Sequence, residues 1–271
     1  MSPAGQIVEA IAVSKVYPRR GGLLQRRLGE VKAVDEVSLA LHEGERLGLV
    51  GESGCGKTTL AKLLIGLLAP TRGQVLIQGR RFSALRGAEL LAARRSVQFV
   101  FQDPVNSLNP RMSVEAALGE PFDIHRLARG RERCRRIVAL LESVQLSSAY
   151  LGRLPRELSG GERQRIGIAR ALATGPQALI CDEPIASLDV SVGAQVLDLL
   201  RRLSTERRVA LLFISHDLRA VASLCDSITV MKDGRLIETA PTQRLLARPV
   251  QSYTELLIQS AELDLDSAPA S

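Results

Sequence analysis

No stretch of this 271-residue chain approaches the ~18 consecutive apolar residues that a membrane-spanning helix requires. The best candidate, residues 60–69, is short and interrupted by Lys62, so the chain is not expected to cross a bilayer by itself. Residues 1–10 lack the basic start and apolar run of a secretory leader. Cysteine is sparse. Cys55, Cys134, Cys181 and Cys225 are far apart and form no C-x-x-C pair, which argues against a disulfide framework or a zinc site and fits a reducing cytoplasm. Lysine is scarce too, with 5 against 31 arginines, and no internal repeat is visible. What is present is ordinary for a packed protein: 45% hydrophobic and 24% charged residues exclude wholesale disorder and predict a substantial buried core. The formal net charge of +7 suggests an anionic partner, and composition does not choose among nucleotide, nucleic acid and membrane surface.

Residues 7–13 and 37–41 read as half-buried strands, with 18–30 as a basic loop between them. Residues 46–50, 74–78, 97–101, 178–181, 209–214 and 228–231 read as further strands, and Asp233-Gly234 as a hairpin turn into 235–238. Several of these runs are apolar without alternation, the pattern of parallel strands covered on both faces. Between them, residues 113–173 form an Arg-rich helical lobe. The pattern is α/β. It predicts one domain over 1–258, with a helical subdomain at about 103–174 inserted in the core, and a flexible acidic tail at 259–271.

Gly51-Glu52-Ser53-Gly54-Cys55-Gly56-Lys57-Thr58 matches G-x-x-x-x-G-K-[ST] and lies between a predicted strand and a predicted helix over 57–68. Gly54 and Gly56 let the backbone turn its N–H groups inward, and the helix adds its positive end, which makes a polyphosphate cradle. In such a loop Lys57 reaches the β- and γ-phosphates and the Thr58 hydroxyl ligates Mg²⁺. Gly51, Ser53, Cys55 and Thr59 complete the predicted nucleotide contacts. Cys55 is most simply a small filler of the turn, and its thiol would make the loop sensitive to alkylation.

Leu158-Ser159-Gly160-Gly161-Glu162-Arg163-Gln164 reads locally as an S-x-x-E capping box opening a helix to about residue 174. Its two glycines leave bare amides at a helix start, a second anion site. This segment resembles the Leu-Ser-Gly-Gly-Gln signature of the ATP-binding-cassette (ABC) ATPases, and the resemblance covers roughly residues 8–257. It implies a P-loop NTPase core of ABC type with an antiparallel β subdomain and an inserted helical subdomain. It also implies cassettes paired head to tail, so that Ser159, Gly160 and Gly161 serve the nucleotide of the opposite subunit.

The remaining roles follow from the same resemblance. Ala178-Leu179-Ile180-Cys181-Asp182-Glu183 resembles Walker B, with Asp182 on Mg²⁺ and Glu183 as the base that polarises the attacking water. Gln102 resembles the glutamine that contacts Mg²⁺ and water. Ser187-Leu188-Asp189 resembles the D-loop, whose Asp189 crosses the dimer interface. His216 resembles the switch histidine that senses the γ-phosphate, whereas His42 and His125 read as structural. Tyr17, before Pro18, resembles the aromatic that stacks on adenine.

The segment Gln102-Asp103-Pro104-Val105-Asn106-Ser107-Leu108-Asn109-Pro110-Arg111-Met112 is similar to the peptide/nickel branch of ABC importers. So are Tyr17-Pro18 followed by Arg20-Gly21-Gly22-Leu23-Leu24, and Pro249-Val250-Gln251-Ser252-Tyr253-Thr254. The resemblance implies an ATP- and Mg²⁺-dependent ATPase that works with a second ABC ATPase subunit, as a heterodimer or homodimer. Two membrane-spanning permease subunits and an extracytoplasmic solute-binding protein complete the expected assembly, on the cytoplasmic face of the bacterial inner membrane. Many peptide-type members carry a cysteine-bearing C-terminal extension. Without one, the chain resembles the shorter nickel or metal-chelate ATPases. A soluble ABC ATPase acting on nucleic acid or ribosomes is the competing reading. Such proteins usually have two cassettes or a long coiled-coil insertion, neither of which is visible, so no nucleic-acid partner is expected and Arg126–Arg136 reads as a solvated face. An inactive regulatory cassette is disfavoured by the intact Lys57, Asp182, Glu183 and His216.

Overall fold

The computed structural model describes residues 5–21, 26–102 and 108–266. The fold divides into two compact units, Met1–Leu85 with Leu212–Ser271, and Arg86–Leu211. The sequence pattern predicts a smaller insertion at 103–174. The second unit is larger because its signature helix packs on a strand and a long helix outside those bounds, drawing both into the same body.

In the first unit, β1 (Gln6–Gly21) and β2 (Arg26–His42) form a long antiparallel ribbon. With β4 (Arg72–Ile77) and β5 (Arg80–Arg81) they make a four-stranded sheet in the order β2-β1-β4-β5. The expected basic loop at 18–30 is therefore strand on both sides, with Pro18 opposite Glu30 and Arg19 opposite Gly29. At Pro18 the strand β1 has a neighbour on one side only, because β4 pairs with it only as far as Ser14, the edge setting in which a strand tolerates proline. Residues 22–25 of the proposed branch motif lie outside the described residues.

The same unit holds a second sheet segment. β3 (Arg46–Val50) pairs in parallel with β9 (Ser227–Lys232), Leu47 opposite Ser227 and Val50 opposite Val230. The Asp233-Gly234 turn, both residues at positive φ, returns the chain as β10 (Arg235–Pro241). On the far side of β3 lies β8 (Ala210–Ile214), which brings the chain back into this unit. Its continuation at Ser215 donates N–H to Leu49 O at 3.2 Å. β3, β8 and β9 are buried almost throughout, as their unalternating sequences predict. α1 (Lys57–Leu64) buries Leu60, Ala61, Leu63 and Leu64, and α7 (Leu218–Leu224) packs on β3. α8 (Thr242–Ala247) and α9 (Ser252–Asp266) follow β10. α9 continues through Asp266, past the start of the tail expected at 259. Leu257, Ser260 and Ala261 line a cavity wall, which gives that last part of the helix a packing purpose.

In the second unit, α2 (Gly87–Ser96) leads into β6 (Val97–Val100), which pairs in parallel with β7 (Ala178–Asp182). The helical lobe is α3 (Val114–Ile124), α4 (Gly130–Ser143) and α5 (Gly160–Leu172), each packed on the other two. α5 also packs on β6 and on α6 (Val190–Arg207), whose Val196, Leu199, Leu200 and Leu203 are buried at helical spacing. Residues 103–107 of the segment 102–112 lie outside the described residues. Among the described residues no helix is long and apolar enough to cross a membrane.

β3 carries the phosphate loop, so its packing is a direct test of the scaffold. A Cβ at Gly48 would lie 2.1 Å from Val221 Cγ1 on α7. Gly48→Ala is expected to cost about 1–3 kcal/mol of stability through overpacking, seen as a lower urea midpoint.

Candidate functional site

In the first unit the phosphate-type loop joins β3 to α1. Gly51 ends the strand where a Cβ would lie 2.1 Å from Met231 O. Gly56 is the N-cap of α1 at φ 112°, a conformation that glycine adopts readily, and a Cβ there would meet Ala33 O at 2.0 Å. No side chain caps this helix and no acidic residue occupies its first turn. Its positive end, with Thr58 and Thr59 beside it, favours an anion.

Lys57 is only 6% exposed, and its ammonium donates to Gly51 O at 2.6 Å and Glu52 O at 2.9 Å. Among the described residues no carboxylate pairs with it. A buried ammonium held by two carbonyls and a neutral thiol, with no carboxylate among the described residues, is a positive charge without a counterion, which is the donor chemistry that fits a polyphosphate. Cys55 Sγ lies 3.9 Å from Lys57 Nζ, and burial pushes its thiol up, so the group is neutral at neutral pH. Ser53 and Gly54 are exposed at the loop's tip.

His216 follows β8 and emerges at the same end of the parallel strands as Gly51, where open α/β sheets bind ligands. A cavity of about 260 Å³ brings the two together, with Asp217, Arg219, Leu257 and Ser260 also in its wall. Asp217 caps α7, its Oδ1 accepting the N–H groups of Arg219 at 2.9 Å and Ala220 at 3.2 Å. Tyr17 is 38% exposed on β1 with the Lys15 ammonium 5.4 Å from its ring centroid, and it does not line this cavity. His42, read as structural, has Nδ1 3.0 Å from Glu45 Oε2.

The second unit holds the other candidates. β7 ends in Asp182, 2% exposed, followed by Glu183, 8% exposed. Glu183 has φ 49°, in the left-handed region that non-glycine residues seldom occupy and that recurs at functional sites. β6 and β7 run in register, Val100 opposite Cys181. Gln102 and Glu183, each two residues further on, therefore leave the same end of the pair. Within this unit Asp182 and Gln102 offer hard oxygen donors of the kind Mg²⁺ takes.

The signature loop is a complete capping box. Ser159 Oγ accepts the Glu162 N–H at 3.2 Å, and Glu162 Oε2 accepts the Ser159 N–H at 2.7 Å. Tyr150 donates its hydroxyl to Glu162 Oε1 at 2.5 Å, and Arg153 lies 4.3 Å from that tyrosine's ring centroid. The Tyr150 hydroxyl and the Ser159 N–H hold the Glu162 carboxyl below its usual range. The second glycine has a packing reason: a Cβ on Gly161 would lie 2.3 Å from Val192 Cγ1 of α6, while Gly160 faces Leu188. Signature and D-loop segments are thus brought together within one unit. Asp189 caps α6, accepting the Val192 N–H at 2.9 Å and the Ser191 hydroxyl at 2.8 Å, and these bonds hold its carboxyl below the usual range.

The sequence reading missed two tyrosines. Tyr150 props the signature loop, and the hydroxyl of Tyr253 accepts the Glu52 N–H of the phosphate loop at 3.1 Å. Their rarity was the available signal, since the chain has only three tyrosines.

Comparison with known proteins identifies the family. A family model described as ABC transporter matches residues 34–186. The chain is 46% identical to the oligopeptide transport ATP-binding protein AppF of Bacillus subtilis (strain 168), over 96% of this chain and 80% of the relative. It is 47% identical to the oligopeptide transport ATP-binding protein OppF of the same strain, over 87% of this chain and 78% of that one. Among solved structures, the dimeric post-hydrolysis state of the ATP-binding cassette MJ0796 bound to ADP and Pi matches with a TM-score of 0.77. That match has 29% identity and covers 87% of this chain and 99% of the other.

Ser159→Ala removes a cap and is expected to lower stability by about 1 kcal/mol, read from the urea midpoint. The depressed Glu162 value adds stability that is present above the ordinary glutamate range and is lost as pH falls through the lower folded value. The stability difference between wild type and Glu162→Gln should therefore narrow in acid.

Proposed function

The chain belongs to the ABC transporter family, and from that premise we propose that it is the ATP-hydrolysing subunit of a peptide importer. The observation that carries the reading is the buried, carboxylate-free Lys57 ammonium at the uncapped start of α1. ATP is held by its phosphates on the N–H groups of residues 53–59 and on Lys57, which must turn from the Gly51 and Glu52 carbonyls to meet them. Thr58, Asp182 and Gln102 would hold Mg²⁺, which would neutralise charge on the phosphates. Glu183, buried at the end of β7 on a left-handed backbone, accepts a proton from the attacking water. His216 reports the γ-phosphate from the cavity it shares with Gly51. Tyr17 stacks on adenine.

Two such cassettes close on ATP, with Ser159, Gly160 and Gly161 of one facing the nucleotide of the other. Asp189 stands beside that contact, already fixed as the cap of α6. The dimeric state of the MJ0796 cassette supports this pairing, and the second cassette is a homologous subunit or another copy of this chain. We read two membrane permeases and an extracytoplasmic binding protein as the remaining partners, and the cytoplasmic face of the inner membrane as the location. The cargo is peptide, the class named for AppF and OppF. Binding measurements on the cognate solute-binding protein check it: peptide binding agrees, and binding of nickel or metal chelates alone contradicts.

Glu183→Gln is expected to slow hydrolysis by roughly 10²- to 10⁴-fold while MgATP affinity is retained. Steady-state phosphate release and equilibrium ATP binding check both halves, and turnover within a few-fold of wild type overturns the role of Glu183.

A further inference from the structure

The segment 249–254 served above only to mark a branch of the family, yet it contains the most buried tyrosine of the chain, Tyr253 at 8% exposure. The start of α9 is anchored by Glu238 on β10, whose carboxylate accepts the N–H groups of Val250 at 2.8 Å and Gln251 at 3.1 Å. The Lys232 ammonium of β9 lies 4.6 Å from the Tyr253 ring centroid, within cation–π range. Held from both sides, the ring presents its hydroxyl to the Glu52 N–H, 201 residues earlier in the chain.

The Gly51–Glu52 peptide is a junction. Its carbonyl, Gly51 O, accepts the Lys57 ammonium at 2.6 Å, while its N–H, that of Glu52, is taken by Tyr253 at 3.1 Å. Rotation of this one planar unit would move the nearer of the two carbonyls on which the buried ammonium rests. Burial pushes the Tyr253 phenol up, so it stays neutral and keeps its lone pairs for the N–H. A ring that served only as apolar filling would have no use for the hydroxyl at that point.

We propose that α9 braces the phosphate-binding loop through Tyr253, a positioning residue whose hydroxyl fixes the Gly51–Glu52 peptide and thereby the resting place of Lys57. The proposal deepens the reading of this loop as the nucleotide site and rests on it for its effect on ATP. The C-terminal helix is then part of the apparatus that sets nucleotide affinity, and a ligand or partner that displaced α9 would loosen the loop.

Tyr253→Phe in the full-length chain tests it, because phenylalanine keeps the ring and removes only the acceptor. A lost hydrogen bond of ordinary strength corresponds to about a three- to tenfold change in an equilibrium. ATP affinity should fall by that factor, with KM rising and kcat within about twofold of wild type, the signature of lost uniform binding. In nucleotide-free protein, alkylation of Cys55 should accelerate by a similar factor, while exposed Cys134 reacts at its wild-type rate as an internal reference. Both rates are read by mass spectrometry of labelled peptides. The proposal is overturned if Tyr253→Phe binds ATP as wild type does. Equal acceleration of Cys55 and Cys134 also overturns it, because that is general loosening. Should wild type itself bind no MgATP, the nucleotide reading fails by itself, and the ratio of the two thiol rates still decides whether Tyr253 holds the loop.

Discussion

An ammonium group buried under backbone carbonyls, with no carboxylate among the described residues to neutralise it, is the constraint around which the first unit is arranged. Moving a charge out of water is costly unless it is paired, and among the described residues Lys57 is offered Gly51 O, Glu52 O and the Cys55 sulfur. The surroundings keep that arrangement from relaxing. Leu60, Ala61, Leu63 and Leu64 bury the helix that carries the lysine, and the backbone of Ala33 and Met231 closes on Gly56 and Gly51. A site that holds a free positive charge in this way is preorganised for a polyanion, and binding that anion releases the penalty the fold has carried.

The second unit solves a related problem with the opposite means. Its signature loop is capped internally by Ser159 and Glu162, propped by Tyr150 and pressed against α6 at Gly161. Two loops, one in each unit, thus each depend on a tyrosine hydroxyl contributed from elsewhere in the chain. The arginine excess has a similar use. Arg46 grips Asp226 with two bonds and Arg235 grips Asp35 with two. Arg95 donates to Thr174 O and Arg202 to Ser143 O, so these arginines stitch loops and helix ends. The planar, multi-donor guanidinium suits that task better than an ammonium does, which gives a structural reason for arginines far outnumbering lysines without calling on nucleic acid.

Features written in contiguous residues were legible in the sequence. The phosphate loop, the capping box at Ser159 and the buried strands at 46–50 and 178–182 follow from spacing and local chemistry alone. The β1–β2 ribbon was not legible, because Pro18 and the arginines around it have loop-like composition and the pairing that makes them strand comes from the partner. Asp189 was assigned to an interface by resemblance, and the structure adds that its carboxylate already caps α6. The Tyr253–Glu52 bond spans 201 residues. No local pattern encodes a contact of that range, and only the fold that brings β10, α9 and the phosphate loop into one unit discloses it.

The central claim is that Lys57 is a charge held ready for a polyphosphate and contributes little to the empty fold. Thermal unfolding of wild type and Lys57→Met, each with and without MgATP, measures it most directly. The account predicts that Lys57→Met without nucleotide is at least as stable as wild type, since an uncompensated buried charge has been removed, and that MgATP raises the midpoint of wild type alone. A variant that is strongly destabilised without nucleotide, yet gains as much from MgATP as wild type, would contradict it.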